Sequence, residues 1–380
     1  MVNIDLICFS HLRWNFVFQR PQHLLSRFAQ NRRVFFFEEP VFNATDNHLD
    51  VTMDNTHKVY IVVPCLQPGM NEEQVLMALR SLLNKLLTSM HINKYLVWYY
   101  FPMALAFTDA LDPELIVYDC MDELSAFKFA HPLLVLHEQR LLQKADVVFT
   151  GGQSLYEVKK HQHGNIHLFP SSIDKTHFNT ARSPLPEPDD QATIPHPRIG
   201  YHGVLDERLD THLLKELATL RPDWHFILVG PVVKIEEGDL PRLNNIHYLG
   251  GKPYSELPNY LAGWDIAMMP FALNESTRYI SPTKTPEYLA GGKPVISTPI
   301  KDVITPYEEI GLVQIAATPA LFIAAAEAIL TQTGYDAWLA QVDSYLSGMS
   351  WDDTWQQMEA LIEDALEKKQ YLNLKAPDYV

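Results

Sequence analysis

The sequence has little cysteine, no long apolar run and a deficit of positive charge, and each shortage removes a class of protein. Three cysteines in 380 residues, Cys8, Cys65 and Cys120, are an odd and widely spaced set. They support neither a disulfide framework nor a zinc site, so the reading is a reduced, cytoplasmic protein. No apolar stretch approaches the ~18–20 residues needed to span a bilayer. The opening MVNIDLICFS is strand-like, carries Asp5 and lacks the basic start of a signal peptide. Thirty Lys and Arg against 46 Asp and Glu leave a formal charge of −16, which disfavours a nucleic-acid partner. With 47% hydrophobic residues, disorder is excluded as the main state, and the length suits two domains.

Short β-rich apolar runs alternate with helical patterns along the first third of the chain. NIDLICF, RVFFFEEP, VYIVVP, YLVWYY, LIVYDC and DVVFTGG read as strands, with a helix over PQHLLSRFA and another within residues 71–92. Buried strands alternating with helices predict an α/β fold with a parallel sheet covered on both faces. The grammar repeats from RIGYHG through WHFILVGP, IHYLGG, DIAMMPF and KPVISTP. Residues 181–197, ARSPLPEPDDQATIPHP, are rich in proline and acid and read as an exposed linker. Residues 1–180 then form an N-terminal Rossmann-like domain and residues 198–350 a second one. An amphipathic helix over 351–372 closes the chain, with Thr354, Trp355, Met358, Ile362 and Leu366 near one face.

Ligands of doubly wound folds bind at the carboxyl ends of the strands, so loops after strands hold the candidates. Ser10-His11-Leu12-Arg13-Trp14 follows the first strand, and Gln19-Arg20-Pro21 opens the first helix. Arg13, Trp14 and Arg20 there suit an anion or a sugar hydroxyl. Asp119, Asp122 and Glu123 crowd a later strand end, where repulsion and burial would raise a carboxyl pKa toward that of a general base. Asp122 could equally cap a helix. In the second half, Gly203, Gly230 and Gly250-Gly251-Lys252 end successive strands, where glycine lets backbone approach a ligand. The densest pattern is Ser281-Pro-Thr283-Lys284-Thr-Pro-Glu287-Tyr-Leu-Ala-Gly-Gly-Lys-Pro-Val-Ile-Ser-Thr298. Lys284, preceded by Thr283, stands at a helix start where charge and N–H groups converge on a diphosphate, and Glu287 one turn along could accept two ribose hydroxyls.

The run from Glu287 to Thr298 resembles the E-A-x-A-x-G-x-P-V-V-A-T signature of GT-B-fold glycosyltransferases. Ala145–Ser154 and Pro170-Ser-Ser-Ile-Asp174-Lys-Thr-His-Phe178 resemble two further elements of that family. The segment from Phe9 to Gln22 is similar to a bacterial subgroup that builds teichuronic acid and other surface polysaccharides. The resemblance implies two Rossmann-like domains facing across a cleft, the second holding a nucleotide-sugar donor and the first a glycan or lipid-linked acceptor. It implies Glu287 on the ribose, Lys284 and Arg208 on the diphosphate, and a last helix that packs back on the first domain. Asp122 or Asp119, with His11 as second choice, would be the base of an inverting reaction. The E-x7-E pattern of many retaining members has Tyr279 at its first position here, with Glu275 the nearest upstream acid, so the stereochemistry stays open. No D-x-D occurs. The expectation is therefore a metal-independent hexosyltransferase without cofactor, its nucleotide sugar a co-substrate. The other reading is a non-catalytic nucleotide-sugar-binding or partner subunit on the same fold. Arg20, Arg27, Arg32 and Arg33 beside Phe16, Phe18 and Phe28 are either an ordinary solvated helix face or a basic-aromatic surface for peripheral contact with the inner face of a membrane.

Overall fold

A computed structural model describes residues 4–331 and 333–375. Among them, strands gather into two sheets. The first comprises β1 (Asp5–Phe9), β2 (Val34–Phe37), β3 (His48–Asp54), β4 (Val59–Cys65), β5 (Tyr95–Tyr99), β6 (Leu115–Cys120), β7 (Val147–Thr150) and β8 (Ile166–Leu168). They lie in the order β3-β4-β2-β1-β5-β6-β7-β8, parallel except for β3, which runs antiparallel to β4. The second comprises β9 (Arg198–His202), β10 (His225–Val229), β11 (Ile246–Gly250), β12 (Ile266–Met269), β13 (Val295–Ser297) and β14 (Val313–Ile315). Its order, β11-β10-β9-β12-β13-β14, is parallel throughout and reverses direction between β9 and β12. Such a reversal opens a crevice at the carboxyl ends of the strands.

Side chains alternate across a strand, so β1 feeds two cores. Leu6 and Cys8 join a cluster with Leu24, Phe28, Trp98 and, from the far end of the chain, Trp351, Met358 and Ile362. Ile7 and Phe9 face the other way, onto Leu79, Leu82, Leu83 and Leu86 of the helix Glu72–Ser89. All five residues of β1 are buried, as expected of a strand covered on both faces. The second sheet has its own core, centred on Trp224, Trp264 and Tyr288.

Two segments differ from their sequence reading. Residues 181–197 are largely exposed, as read, but Ala181, Gln191 and Ile194 are buried, so the segment is not free of the domain that follows. Gln191 is wholly buried, its Nε2 donating to the Tyr260 carbonyl (3.0 Å) while its Oε1 accepts from Trp264 Nε1 (2.9 Å). The proline-rich strap is thereby fastened to the second sheet's helices, because a buried indole needs an acceptor. The four arginines around the first helix, Arg20–Phe28, form no basic surface. Arg20 pairs with Asp119, Arg27 with Asp352, Arg32 with Glu359 and Arg33 with Asp5, and Phe28 is fully buried. Two of those partners, Asp352 and Glu359, lie on the last helix, Trp351–Lys375, which crosses back over the first sheet. No described helix is long and apolar enough to cross a membrane.

Candidate active site

A cavity of about 600 Å³ lies between the two sheets. The loop after β1 walls one side, from Trp14 to Arg20, together with Asp122; the other side carries Gly203, Arg208, Gly230, Thr283, Lys284 and Glu287. These second-sheet residues come from the carboxyl ends of β9 and β10 and the start of the helix Lys284–Ala290, the positions where the topology places a ligand.

Lys284 runs across the face of Tyr201, its Nζ 5.5 Å from the ring centroid, and lies against Gly203. A Cβ on Gly203 would meet Lys284 Cε at 2.2 Å, and the residue's φ of +136° also requires glycine. Gly230 clears the space beneath, since a Cβ there would sit 1.8 Å from the Gly203 carbonyl oxygen. Burial and the nearby Arg208 guanidinium push the Lys284 ammonium down from the ordinary lysine range. The Glu287 carboxyl is pushed up by burial, with Lys284 opposing the shift. A half-buried cation and a buried acid thus stand one helical turn apart, with the charged form of each disfavoured by desolvation. Arg208 is gripped by Asp206, its Nη2 2.6 Å from Asp206 Oδ2, and that grip raises its pKa against the effect of burial. Two polar atoms of cavity-lining residues are buried without a protein partner, His202 Nε2 and the Tyr254 hydroxyl. His202 Nε2 lies 3.6 Å from Glu287 Oε2, too far for a hydrogen bond, and burial keeps its ring neutral.

The first-sheet side distributes its candidates differently from the sequence reading. Of the three clustered carboxylates, Asp119 is fully buried and bound bidentately by Arg20, with Nε to Oδ2 at 2.9 Å and Nη2 to Oδ1 at 2.8 Å. A carboxylate tied in this way is a structural partner and not a free base, and Arg20, 3% exposed, is not an open acceptor ligand. Glu123 binds Lys159 at 2.8 Å. Asp122 alone of the three turns to the cavity, its carboxyl pushed up by burial while Arg208, Arg20 and Lys234 pull it down. It does not cap a helix, because the short helical turn Leu124–Ala126 has no side-chain cap.

His11 lies outside the cavity lining, against Phe101 (5.4 Å), and burial with Lys234 nearby lowers its pKa to about 4. Arg13 is spent on Glu38 (2.9 Å) and the Glu39 carbonyl (2.6 Å). Trp14 reaches the cavity wall but is 4% exposed, its Nε1 donating to Asp54 Oδ2 at 2.8 Å. Lys252 also lines the cavity, yet its amine binds Asp190 of the strap at 2.6 Å. The Glu275 side chain is 77% exposed beside Arg278 and outside the cavity lining, so it does not stand in for the acid missing at Tyr279.

Sequence reading missed Asp54, His57, His202 and Tyr254. The first two belong to the β3–β4 turn, where His57 Nδ1 lies 2.6 Å from Asp54 Oδ2, and both line the cavity. Tyr254 stacks on His177 (4.4 Å) and meets Phe18 of the opposite side at 4.8 Å, making an aromatic seam across the cleft. His202, immediately before Gly203 at a strand end, carried a readable signal; the β3–β4 turn carried none.

Residues 196–332 match the family described as Glycosyl transferases group 1. That stretch, which holds most of the second sheet, is similar to a group 1 glycosyltransferase domain. The chain is 26% identical over 285 residues to the "Putative teichuronic acid biosynthesis glycosyltransferase TuaH" of Bacillus subtilis (strain 168), over 69% of this chain and 70% of that relative. Among solved structures, sucrose-phosphate synthase from Thermosynechococcus elongatus is similar with a TM-score of 0.71 at 15% identity, over 96% and 100% of the two chains. Anabaena HepE, solved with UDP and glucose, gives a TM-score of 0.66 at 16% identity, over 95% and 100%. A trehalose-6-phosphate protein from E. coli bound with UDP-2-fluoro glucose gives a TM-score of 0.66 at 11% identity, over 95% and 99%. The fold is GT-B, with the domain that holds residues 196–332 supplying the Lys284, Glu287 and Arg208 side of the cavity.

Proposed function

We propose that the chain transfers a hexosyl group from a nucleoside diphosphate sugar, held by the glycosyltransferase domain, to a hydroxyl of a glycan or lipid-linked acceptor in bacterial surface polysaccharide synthesis. The observation that carries this reading is the convergence of Lys284, Glu287 and Arg208 on one wall of the interdomain cavity. In this reading Glu287 accepts the ribose hydroxyls, and the base docks near His202. Lys284 and Arg208 receive the diphosphate. The bond from the anomeric carbon to the β-phosphate oxygen breaks, and the acceptor oxygen bonds to that carbon. The negative charge that develops on the leaving group is met by two fixed cations in a low-dielectric site, which replaces the need for a metal. Asp122 accepts the hydrogen bond of the acceptor hydroxyl. Its proton passes to Asp122 if the configuration inverts, or to the departing phosphate if it is retained. The UDP in two structural neighbours supports a uridine donor.

Melting temperature against UDP, ADP, GDP and TDP, with and without magnesium, tests the assignment. One diphosphate should raise it, equally well without magnesium, and the rise should vanish in Glu287→Ala. No rise with any of them would overturn the donor site.

A further inference from the structure

We propose that the segment from Phe127 to Lys144 docks the protein on an anionic lipid surface at the mouth of the cleft. It rests on the transferase reading only for its purpose, delivery of a lipid-linked acceptor. The segment is built outward. Phe129 is 80% exposed and sits at φ +67°, a left-handed conformation that a bulky side chain rarely adopts, so backbone strain is spent on projecting an aromatic ring into solvent. Lys128 holds its amine 5.1 Å from that ring. The following helix, Leu134–Lys144, packs Leu134, Leu141 and Leu142 inward, yet Leu133, Val135 and Leu136 beside them are 42%, 49% and 42% exposed. Its outer side then turns basic at Arg140 and Lys144.

Charge selects the partner. The chain carries −16 overall, but residues 124–144 contain one acid, Glu138, and it faces inward onto Lys159 (2.7 Å) and the Tyr118 hydroxyl (2.6 Å). The exposed charge of the segment is therefore cationic. Apolar tips backed by cations on long stems suit the boundary between acyl chains and anionic headgroups, where stems snorkel and rings insert. The same loop abuts a residue of the cavity wall: Phe127 lies under Arg208 (5.4 Å) and beside Lys234 (4.7 Å) of the second domain. A lipid surface seated on Phe129 and Leu136 would thus meet the cleft at its rim. This face replaces the arginine face suggested by the sequence, whose charges are all internally paired.

Flotation of the full chain with vesicles of phosphatidylglycerol and phosphatidylcholine, against phosphatidylcholine alone, tests the surface. The chain should float with the anionic vesicles only. Phe129→Glu and Leu136→Glu, at exposed positions in separate elements, should each weaken flotation by about tenfold, and roughly 0.5 M salt should weaken it further. The melting shift caused by nucleoside diphosphates should persist in both variants, which keeps this test separate from that of the donor site. Failure to float with anionic vesicles, flotation indifferent to both substitutions, or a wild-type dimer that the substitutions dissociate would overturn the proposal.

Discussion

Replacing Lys284 with methionine should make the empty protein more stable and the enzyme nearly inactive. Lys284 is held against its own preference. It is half-buried and desolvated, it faces Arg208, and it stands at the positive end of the helix Lys284–Ala290. Methionine keeps much of the volume and removes all three penalties, while Glu287, whose raised pKa already favours its protonated form, loses little. A lysine pKa depressed by desolvation and a neighbouring cation marks a charge held at a cost, so its removal should stabilise by on the order of 1–2 kcal/mol. At about 2–4 °C per kcal/mol for a chain of this size, the apo melting temperature should rise by several degrees. Catalysis should fall about 10²–10³-fold in kcat/KM, the usual cost of one missing donor to a developing anion. Saturating UDP should then reverse the order of stability, because a ligand at a hundred times its Kd adds about 2.7 kcal/mol to the wild type alone. Scanning calorimetry of both proteins with and without UDP reads all of this. A Lys284→Met variant that melts lower than wild type without ligand would refute the argument, since it would make the lysine a structural cation.

Gly203→Ala should displace the Lys284 side chain and raise the Kd for UDP by about tenfold or more, measured by titration calorimetry; wild-type affinity would show that the lysine is not steered by this contact. Arg20→Leu should cost about 3–5 kcal/mol in urea unfolding by stranding Asp119, and Arg20→Leu with Asp119→Leu should regain most of it. A single substitution that leaves stability unchanged would mean the pair is not the anchor described. The elevated Glu287 carboxyl adds stability that is full below its unfolded pKa and is lost as pH rises through its folded one. Apo stability should accordingly fall between pH 5 and 7, by at most about 1.4 kcal/mol per pH unit, and Glu287→Gln should flatten that slope. Lys284, depressed from the lysine range, contributes its own change only at higher pH.

Long buried strands were legible because a parallel sheet covered on both faces writes them as unbroken apolar runs. The strands that escaped were of two kinds. β8 and β14 are three-residue strands at sheet edges, without the flanking glycine and proline motif that marked the equally short β13, and β3 is a mostly exposed antiparallel edge whose Leu49, Val51 and Met53 do alternate with polar residues but carry too little apolar bulk to stand out. That Lys284, Glu287, Arg208 and the two glycines would line a cleft was readable because it depends on position relative to a strand end, which is a local property. The fates of Asp119, Asp122 and Glu123 were not. Which of three adjacent carboxylates meets a cation is decided by Arg20, 99 positions away, and by Lys159, and only the fold brings these together. The same holds for the arginines of the first helix, whose charge seemed available until the last helix supplied Asp352 and Glu359.

That last helix has a consequence for how the protein is made. Trp351, Met358 and Ile362 complete a core whose other members, Leu6, Leu24 and Phe28 among them, leave the ribosome more than 300 residues earlier. Synthesis at roughly 5–20 residues per second means the first sheet waits tens of seconds with one face uncovered. The glycosyltransferase domain, with a core of its own, can close while the first domain is still unfinished. Nascent chains stalled before Trp351 should therefore present the first sheet to chaperones and proteases and the second to neither, so the order of maturation runs opposite to the order of translation.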